Sequence, residues 1–436
     1  MPAKISSQIV PSRRNFLQAA AASSAFLLST PALASPADDS PSLPPAFANL
    51  KPLGSKVRPI QPDEFKSRIA QAQKKMAEAQ PPFNALFLAP GTALYYFTGI
   101  RWGLSERLLG LVIPQNGEPI LVVPAFEEGR LREKLKFPIE VRTWQEDQSP
   151  TKIAAAALAD RGVRTGQVGI EETVGFSFFD HFRNAAPAFT CVSADPITIA
   201  CRVHKSPHEL ELMRQACDAT FDVFTAVFAS LKEGLSQEDL GHLVEAGFAK
   251  MNLRGGALTL IGESAALPHG TLQPRTLKPG DVVLIDGGCT LEGYESDVTR
   301  TGVLGAPSKK AREVFEIVRQ AQNAALDAAR AGKLSGTVDD AARAVITKAG
   351  YGPDYKFFTH RLGHGIGLDG HEHPYLVRAS TTILEPTMTF SNEPGIYIPT
   401  EFGLRCEDDM VITPNGPAQL LTKGFQLSLE KPLEIA

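Results

Sequence analysis

Several features that would narrow the function at once are missing from this sequence. Beyond the N-terminus there is no run of about eighteen apolar residues, so we expect no transmembrane helix and no stable membrane insertion. The formal net charge is only −4, which gives no electrostatic reason to expect nucleic acid as a partner. The five cysteines are odd in number and lack a CxxC spacing, which disfavours a disulfide framework. What is present is a chain of 436 residues, long enough for two domains with sizeable cores.

The N-terminus has the pattern of an export signal. The pair Arg13-Arg14 precedes a modest apolar stretch at 19–28, and Ala32-Leu33-Ala34 offers a small-x-small cleavage site. This pattern resembles a twin-arginine signal; a general secretion signal with a chance arginine pair and an uncleaved anchor are the alternatives. We therefore expect residues 1–34 to be a signal peptide and the protein to be exported, periplasmic or secreted. Residues 35–55 are rich in Pro, Ser and Ala, which predicts a flexible lead-in.

Hydrophobic periodicity divides the remainder into two domains. Residues 56–200 alternate between helical patterns and short apolar strands, which predicts an α/β domain. In residues 201–436 long helices precede a Gly- and Pro-rich final third made mainly of strands, which predicts an α+β domain. Two of these helices begin with predicted caps, at Ser206-Pro207-His208-Glu209 and at Ser236-Gln237-Glu238-Asp239.

Five residues of the second domain form a complete donor set for two metal ions. They are Asp286, Asp297, His364, Glu393 and Glu407. Carboxylate oxygens and an imidazole nitrogen suit Mn²⁺, Co²⁺ or Zn²⁺. Four buried carboxylates would repel one another strongly without cations, and two divalent ions would cancel that charge and activate water. The set therefore points to a hydrolase.

The local contexts of these residues support the prediction only when taken together. Asp286 ends an apolar strand, and Asp297 follows eleven residues later after a Gly-Tyr turn, so a returning strand would bring the two side by side. His364 lies in a Gly-rich segment, and Glu393 precedes Pro394-Gly395. Each residue alone would be an ordinary turn or loop residue. Their joint occurrence in this order changes the interpretation.

The ordered set resembles the pita-bread metallopeptidase family of prolidases (Xaa-Pro dipeptidases), aminopeptidases P and methionine aminopeptidases, over about residues 269–409. The resemblance implies a creatinase-like N-terminal domain and a pita-bread catalytic domain. It also implies that Asp286 and Asp297 hold one ion, that His364 and Glu393 help to hold the other, and that Asp297 and Glu407 bridge them. Two divalent ions, Mn²⁺ by preference with Co²⁺ or Zn²⁺ as alternatives, and a homodimer are expected on the same basis.

The resemblance also assigns catalytic roles outside the ligand set. His269, His360 and His371 are expected to line the pocket and steady the reacting groups, although His360 or His371 could instead only pack against a loop. Glu393 is expected to carry a proton towards the leaving nitrogen, which is tertiary in a peptide bond to proline and must be protonated to leave.

Two arginines complete the predicted site. Arg378, fifteen residues before Glu393, is our candidate for binding the free carboxylate of a dipeptide, with an exposed loop position as the alternative. Arg405 lies too close to Glu407 to be free, so we expect it to orient the ligands.

The preferred prediction is an Xaa-Pro dipeptidase acting on peptides with proline at the second position. An Xaa-Pro aminopeptidase acting on longer peptides is the first alternative. A metal-free amidinohydrolase of the creatinase type and a non-catalytic binding protein are disfavoured, because those branches tend to lose ligands that this chain keeps. A methionine aminopeptidase is disfavoured by the extra N-terminal domain.

Overall fold

The computed structural model of the protein describes residues 43–273 and 275–436. The predicted signal peptide at 1–34 lies outside the described residues. No helix within the described ranges is long and apolar enough to cross a membrane.

The first part of the structure is an α/β sandwich built on a six-stranded sheet. Its strands are β1 (Phe83–Leu88), β2 (Gly110–Pro114), β3 (Ile120–Pro124), β4 (Glu140–Trp144), β5 (Gly166–Ile170) and β6 (Phe189–Ser193). Its helices are α1 (Pro62–Glu78), α2 (Thr92–Thr98), α3 (Glu128–Lys134), α4 (Pro150–Asp160), α5 (Phe176–Ala185) and α6 (Asp195–Arg202). The strand order is β4-β3-β2-β1-β5-β6, with antiparallel pairing only at β1–β2 and β2–β3. Every residue of β2 and β3 is buried, as expected for a sheet covered on both faces.

The second part begins with two long helices, α7 (Pro207–Phe228) and α8 (Gln237–Lys250), whose predicted capping boxes at Ser206 and Ser236 are confirmed. The strands that follow are β7 (Arg254–Ile261), β8 (Val282–Leu291), β9 (Tyr294–Glu295) and β10 (Val298–Val303). They form one antiparallel sheet in which β8 is central. Two further helices, α9 (Lys309–Ala328) and α10 (Gly336–Ile346), precede the strand-rich final third.

That final third supplies the other sheet of the catalytic part. Its strands are β11 (Gly363–Gly365), β12 (Glu372–Leu376), β13 (Thr389–Asn392), β14 (Gly395–Ile398), β15 (Phe402–Arg405), β16 (Asp408–Val411) and β17 (Gln419–Leu420). The order is β12-β11-β13-β16-β17, and β14 and β15 form a separate hairpin. The site residues lie on or beside β8, β10, β11, β13 and β16, so both sheets contribute to it.

One hydrophobic core crosses the boundary between the two parts. It joins side chains of α1 and β1 to those of α7, β8 and β9 in a single cluster. Phe47 and Leu50 belong to this cluster and are 0% and 6% exposed. The prediction of a flexible lead-in over 35–55 is therefore wrong from Pro45 onward, because burial of these two side chains fixes the segment. The Pro- and Ser-rich composition of the segment gives no indication that Phe47 and Leu50 are buried.

Candidate active site

The five predicted ligands line one cavity of about 160 Å³. Its lining comprises Pro268, His269, Asp286, Asp297, His360, Arg361, His364, His371, Glu393, Arg405 and Glu407. Three groups of side chains place their donor atoms within 4.8 Å of one another: Asp286 with Asp297 and Glu407, His364 with Glu393 and Glu407, and Asp297 with His364 and His371. The first two groups share Glu407, which is the arrangement that two adjacent ions require.

Strand register brings Asp286 to Glu407. Asp286 lies in β8 directly opposite Thr299 of β10, because the two strands pair antiparallel. The Thr299 hydroxyl lies 2.6 Å from Asp286 Oδ1 and 2.6 Å from Glu407 Oε2. The Glu407 backbone N–H donates to the Thr299 carbonyl oxygen at 3.2 Å. Thr299 thus holds two carboxylates in place, although its single hydrogen can be donated to only one of them at a time.

The backbone of Asp297 is held by the buried carboxylate of Asp409. Its backbone N–H donates to Asp409 Oδ2 at 3.0 Å, and the Cys217 thiol donates to the same oxygen at 3.3 Å. Burial, helped by the nearby Asp408, raises the pKa of Asp409 to about 7 against the lowering effect of the bonds from Asp297 and Cys217. The position of Asp297 therefore depends on a polar group that does not line the cavity.

His364 has the geometry of a neutral nitrogen ligand. Its Nδ1 lies 3.1 Å from the carbonyl oxygen of Gly365, which assigns the ring hydrogen to Nδ1 and leaves Nε2 as the acceptor. Nε2 lies 3.4 Å from Glu393 Oε1 and 3.8 Å from Asp297 Oδ2. Burial, and then the adjacent His371, lower the pKa of His364 to about 3. Gly363 allows this packing, since a Cβ there would lie 2.1 Å from the Ser391 carbonyl oxygen.

The buried carboxylates of the cavity repel one another, so the cluster is better suited to bind cations than to remain without them. Burial raises the pKa of Glu407 well above its ordinary value, and repulsion from Asp297, Glu393 and Asp286 adds to the effect. Burial likewise raises the pKa of Asp297, and repulsion from the like charge of Asp286 raises it further. The pKa of Glu393 rises to about 8 through burial, although Arg405 acts to lower it. Divalent cations would relieve this repulsion, so the donor set fits a metal pair.

Arg405 is the only permanent cation among the buried residues that line this cavity. It forms an ion pair with Asp286, donates to the Tyr397 hydroxyl oxygen at 2.8 Å and donates to Thr299 Oγ1 at 3.2 Å. Burial acts to raise the pKa of Asp286, but Arg405 and the hydrogen bonds from its neighbours hold it below its usual value. Arg405 therefore contacts the candidate ligand Asp286 directly, and its role in orienting the ligands stays a prediction.

The three predicted histidines differ in how they are held. In His360, Nε2 accepts from Tyr397 at 2.7 Å and Nδ1 donates to the Arg361 carbonyl oxygen at 2.8 Å, so both nitrogens are engaged. The ring of His371 stacks on that of His364 with centroids 3.7 Å apart, and it forms no side-chain hydrogen bond with the described residues. His269 also lines the cavity. His371 and His269 are therefore the histidines left free to meet a substrate.

The structure does not bring Arg378 to this cavity. Arg378 is exposed and pairs with Asp354 at 2.6 Å, beyond the residues that line the site. Besides Arg405, the cation that lines the cavity is Arg361, three residues before His364. Sequence reasoning missed Arg361, and also Thr299, Tyr397 and Asp409, although Thr299 and Asp409 each lie two residues after a predicted ligand, Asp297 and Glu407.

The fold and the cavity together are those of a two-domain hydrolase with donor groups for two metal ions, and comparison with known proteins agrees. Residues 211–414 match metallopeptidase family M24, and residues 68–204 match the creatinase/prolidase N-terminal domain. A putative dipeptidase of Bacillus subtilis is 34% identical over 358 residues, covering 81% of this chain and 97% of the relative. An Xaa-Pro dipeptidase of Pyrococcus furiosus is 34% identical over 364 residues, covering 82% and 98%.

Solved structures give the same result. The crystal structure of dipeptidase PepE from Mycobacterium ulcerans has a TM-score of 0.78 at 31% identity, covering 86% of this chain and 98% of the other. The chain belongs to metallopeptidase family M24, with a creatinase-type N-terminal domain followed by a pita-bread catalytic domain. The predicted fold class and the predicted metallopeptidase activity are confirmed.

Proposed function

We propose that the protein hydrolyses the peptide bond before proline and that Xaa-Pro dipeptides are its preferred substrates. The observation that carries the proposal is the pair of donor groups that share Glu407 inside one cavity. The Xaa-Pro dipeptidase of Pyrococcus furiosus, similar over nearly its whole length, supports the choice of bond. An Xaa-Pro aminopeptidase acting on longer peptides is the competing function.

Each cavity residue has a defined task in such a reaction. Two divalent ions held by Asp286, Asp297, His364, Glu393 and Glu407 would supply Lewis acidity and a water nucleophile at neutral pH. Glu393 is placed to accept the proton of that water, and to pass it to the prolyl nitrogen as the bond breaks. His371 and His269, free of other hydrogen bonds with the described residues, are placed to stabilise charge on the reacting groups.

Arg361 takes over the role first predicted for Arg378, the binding of the substrate carboxylate. Its guanidinium lies over the Tyr375 ring at 4.3 Å, and within the described ranges it forms no ion pair. Arg378, in contrast, already has a partner in Asp354. A guanidinium that lines the cavity and lacks a carboxylate partner is suited to bind the free carboxylate of a dipeptide in bidentate fashion.

The test compares Arg361→Met with Arg378→Met on two substrates, an Xaa-Pro dipeptide and its C-terminal amide. We expect Arg361→Met to raise KM for the dipeptide about ten- to a hundredfold, since charge-assisted bonds are worth about 1.5–3 kcal/mol. The amide lacks the carboxylate charge and should be affected little, and Arg378→Met should change neither. Equal losses on both substrates would remove Arg361 from this role, and preference for longer peptides in the unaltered enzyme would favour the aminopeptidase.

Three further properties belong to the proposal. Mn²⁺ is the preferred ion, because oxygen donors dominate the set; metal analysis of protein purified without added metal tests this. A homodimer is proposed by family resemblance and is tested by sedimentation.

Export by the twin-arginine route is proposed from Arg13-Arg14. Replacing both arginines by lysine should leave precursor in the cytoplasm, and mature protein appearing outside the inner membrane would point to another route.

A further inference from the structure

The segment that carries His371 is held in place by the N-terminal domain. It runs from Gly367, after β11, to Glu372 at the start of β12, and it includes Asp369 two residues before His371. Because the His371 ring makes no hydrogen bond with the described residues, its position depends on the backbone of this segment and on the stacked ring of His364.

Three side chains hold this segment at Asp369 and at Glu372, on either side of His371; we call Thr92 and Arg202 of the N-terminal domain and Lys205 of the linker to α7 the interdomain clamp. Arg202, the last residue of α6, places Nη2 at 2.6 Å from Asp369 Oδ2 and 2.5 Å from Glu372 Oε2. Lys205 Nζ lies 2.7 Å from Glu372 Oε1. The Thr92 hydroxyl, at the start of α2, donates to Asp369 Oδ1 at 2.5 Å. Each carboxylate that flanks His371 thus binds two groups of the clamp.

The contacts to Glu372 are buried, so they are stronger than surface ion pairs, whereas the Asp369 side chain is 40% exposed. The side chains of Arg202, Lys205 and Glu372 are 13%, 3% and 7% exposed. Burial acts to raise the pKa of Glu372, but Lys205 and Arg202 lower it below its usual value, so the carboxylate is charged. The packing is close as well, since a Cβ at Gly367 would lie 2.5 Å from Glu372 Oε1 and 2.6 Å from Lys205 Cε.

We propose that Arg202, supported by Lys205 and Thr92, is a positioning residue for His371, through which the N-terminal domain contributes to catalysis. Only the predicted effects on kcat and KM rest on the proposed function. A guanidinium bound to carboxylates on both sides of His371 limits the motion of the backbone that carries the ring. Small displacements of a reacting group are costly, about a hundredfold in rate for about 1 Å.

The test is a double-mutant cycle between Arg202→Met and His371→Ala, assayed on an Xaa-Pro dipeptide. Arg202→Met alone should lower kcat about ten- to a hundredfold, change KM less than about threefold and leave the metal content unchanged. In the His371→Ala background the same substitution should lower kcat by no more than about twofold, because its effect passes through the missing ring. The same factor in both backgrounds would overturn the proposal.

Two controls separate positioning from loss of stability. Arg68 is an equally buried interdomain cation, paired with Glu209 at 3.2 Å but in contact with no part of the segment. Arg68→Met should therefore lower the melting temperature without a comparable loss of kcat. Arg202→Lys should restore part of kcat, because both carboxylate contacts come from one nitrogen atom. If Arg68→Met lowered kcat as much as Arg202→Met, a general effect of domain packing would replace the proposal.

Hydrogen–deuterium exchange provides a readout that needs no substrate. In Asp369→Asn, and in Arg202→Met if it folds, exchange at 367–373 should rise while exchange in α7 stays unchanged. Unaltered exchange in that segment would refute the clamp. If the unaltered enzyme failed to cleave Xaa-Pro peptides but the variants still showed faster exchange, the proposed function would fail while the clamp would stand.

Discussion

Replacing Glu393 by glutamine in metal-free protein is the sharpest test of the electrostatic argument. Glu393 is 13% exposed, and burial raises its pKa from 4.5 to about 8. A carboxyl group whose pKa is raised by folding stabilises the protein below its unfolded pKa, and that contribution is lost as the pH rises through the folded value. Metal-free protein should therefore lose stability with rising pH, and Glu393→Gln should remove the part of this loss that Glu393 contributes.

The magnitude follows from the size of the shift. Each pKa unit corresponds to about 1.36 kcal/mol, so ionised Glu393 costs at most about 4 kcal/mol at pH 8. Between pH 6.5 and 8 the cost grows by about 1.5 kcal/mol. The stabilities of Glu393→Gln and the unaltered protein should be compared above pH 6.5. Below that pH two histidines contribute an opposite trend, because burial lowers the pKa of His360 and His364 to about 3 and their contribution to stability grows as the pH rises.

Scanning calorimetry in excess chelator measures the effect. At pH 8 the melting temperature of Glu393→Gln should exceed that of the unaltered protein by about 4–5 °C, because about 2.1 cal/mol/K per residue gives a chain of 436 residues an unfolding entropy of about 0.9 kcal/mol/K. Saturating Mn²⁺ should reverse the order, since the unaltered protein gains binding energy that the variant lacks. The exposed Glu401→Gln, away from the cavity, should show neither effect. The reasoning would be refuted if, in excess chelator at pH 8, Glu393→Gln were no more stable than the unaltered protein.

Three further substitutions separate the roles within the site. Asp297→Asn should abolish activity and lower the metal content measured by elemental analysis; near-normal turnover in a metal-replete variant would contradict a two-metal centre. His371→Ala should keep its metal and lose about 10²–10³ in kcat, as is typical for one group that stabilises the transition state. Metal loss instead would make His371 a ligand. Thr299→Val should weaken metal affinity about ten- to a hundredfold in a calorimetric titration, and unchanged affinity would show that its hydrogen bonds do not orient the carboxylates.

The five candidate ligands that line the cavity could be found from the sequence because each lies in a short segment of recognisable composition and all five occur in one order. Thr299 and Asp409 could not be assigned, because their roles come from strand register and from a contact between residues 112 positions apart. A threonine after an aspartate in a strand is unremarkable until the opposite strand shows Asp286 facing it.

The arginine proposed to bind the substrate carboxylate shows the opposite failure, because its spacing in the sequence led to the wrong residue. Arg378 and Arg361 are both near His364 in sequence, and nothing in their spacing says which one faces the cavity. Arg378 lies beyond the end of β12, next to Ala379, whose positive φ of 63° turns the chain, and it reaches Asp354 instead. The lead-in was misjudged for a similar reason, since composition does not reveal that Phe47 and Leu50 have a place in the core.

The single core that crosses the domain boundary limits how this protein can evolve. A domain that buries its own side chains can be exchanged between genes as a cassette, because the recipient loses nothing at the junction. Here Phe65 and Ile69 of α1 share one cluster with Met213 of α7 and Tyr294 of β9. Recombination at the linker would expose both halves of that cluster at once. The two halves must therefore change in step, and variation in one should be matched by compensating variation in the other.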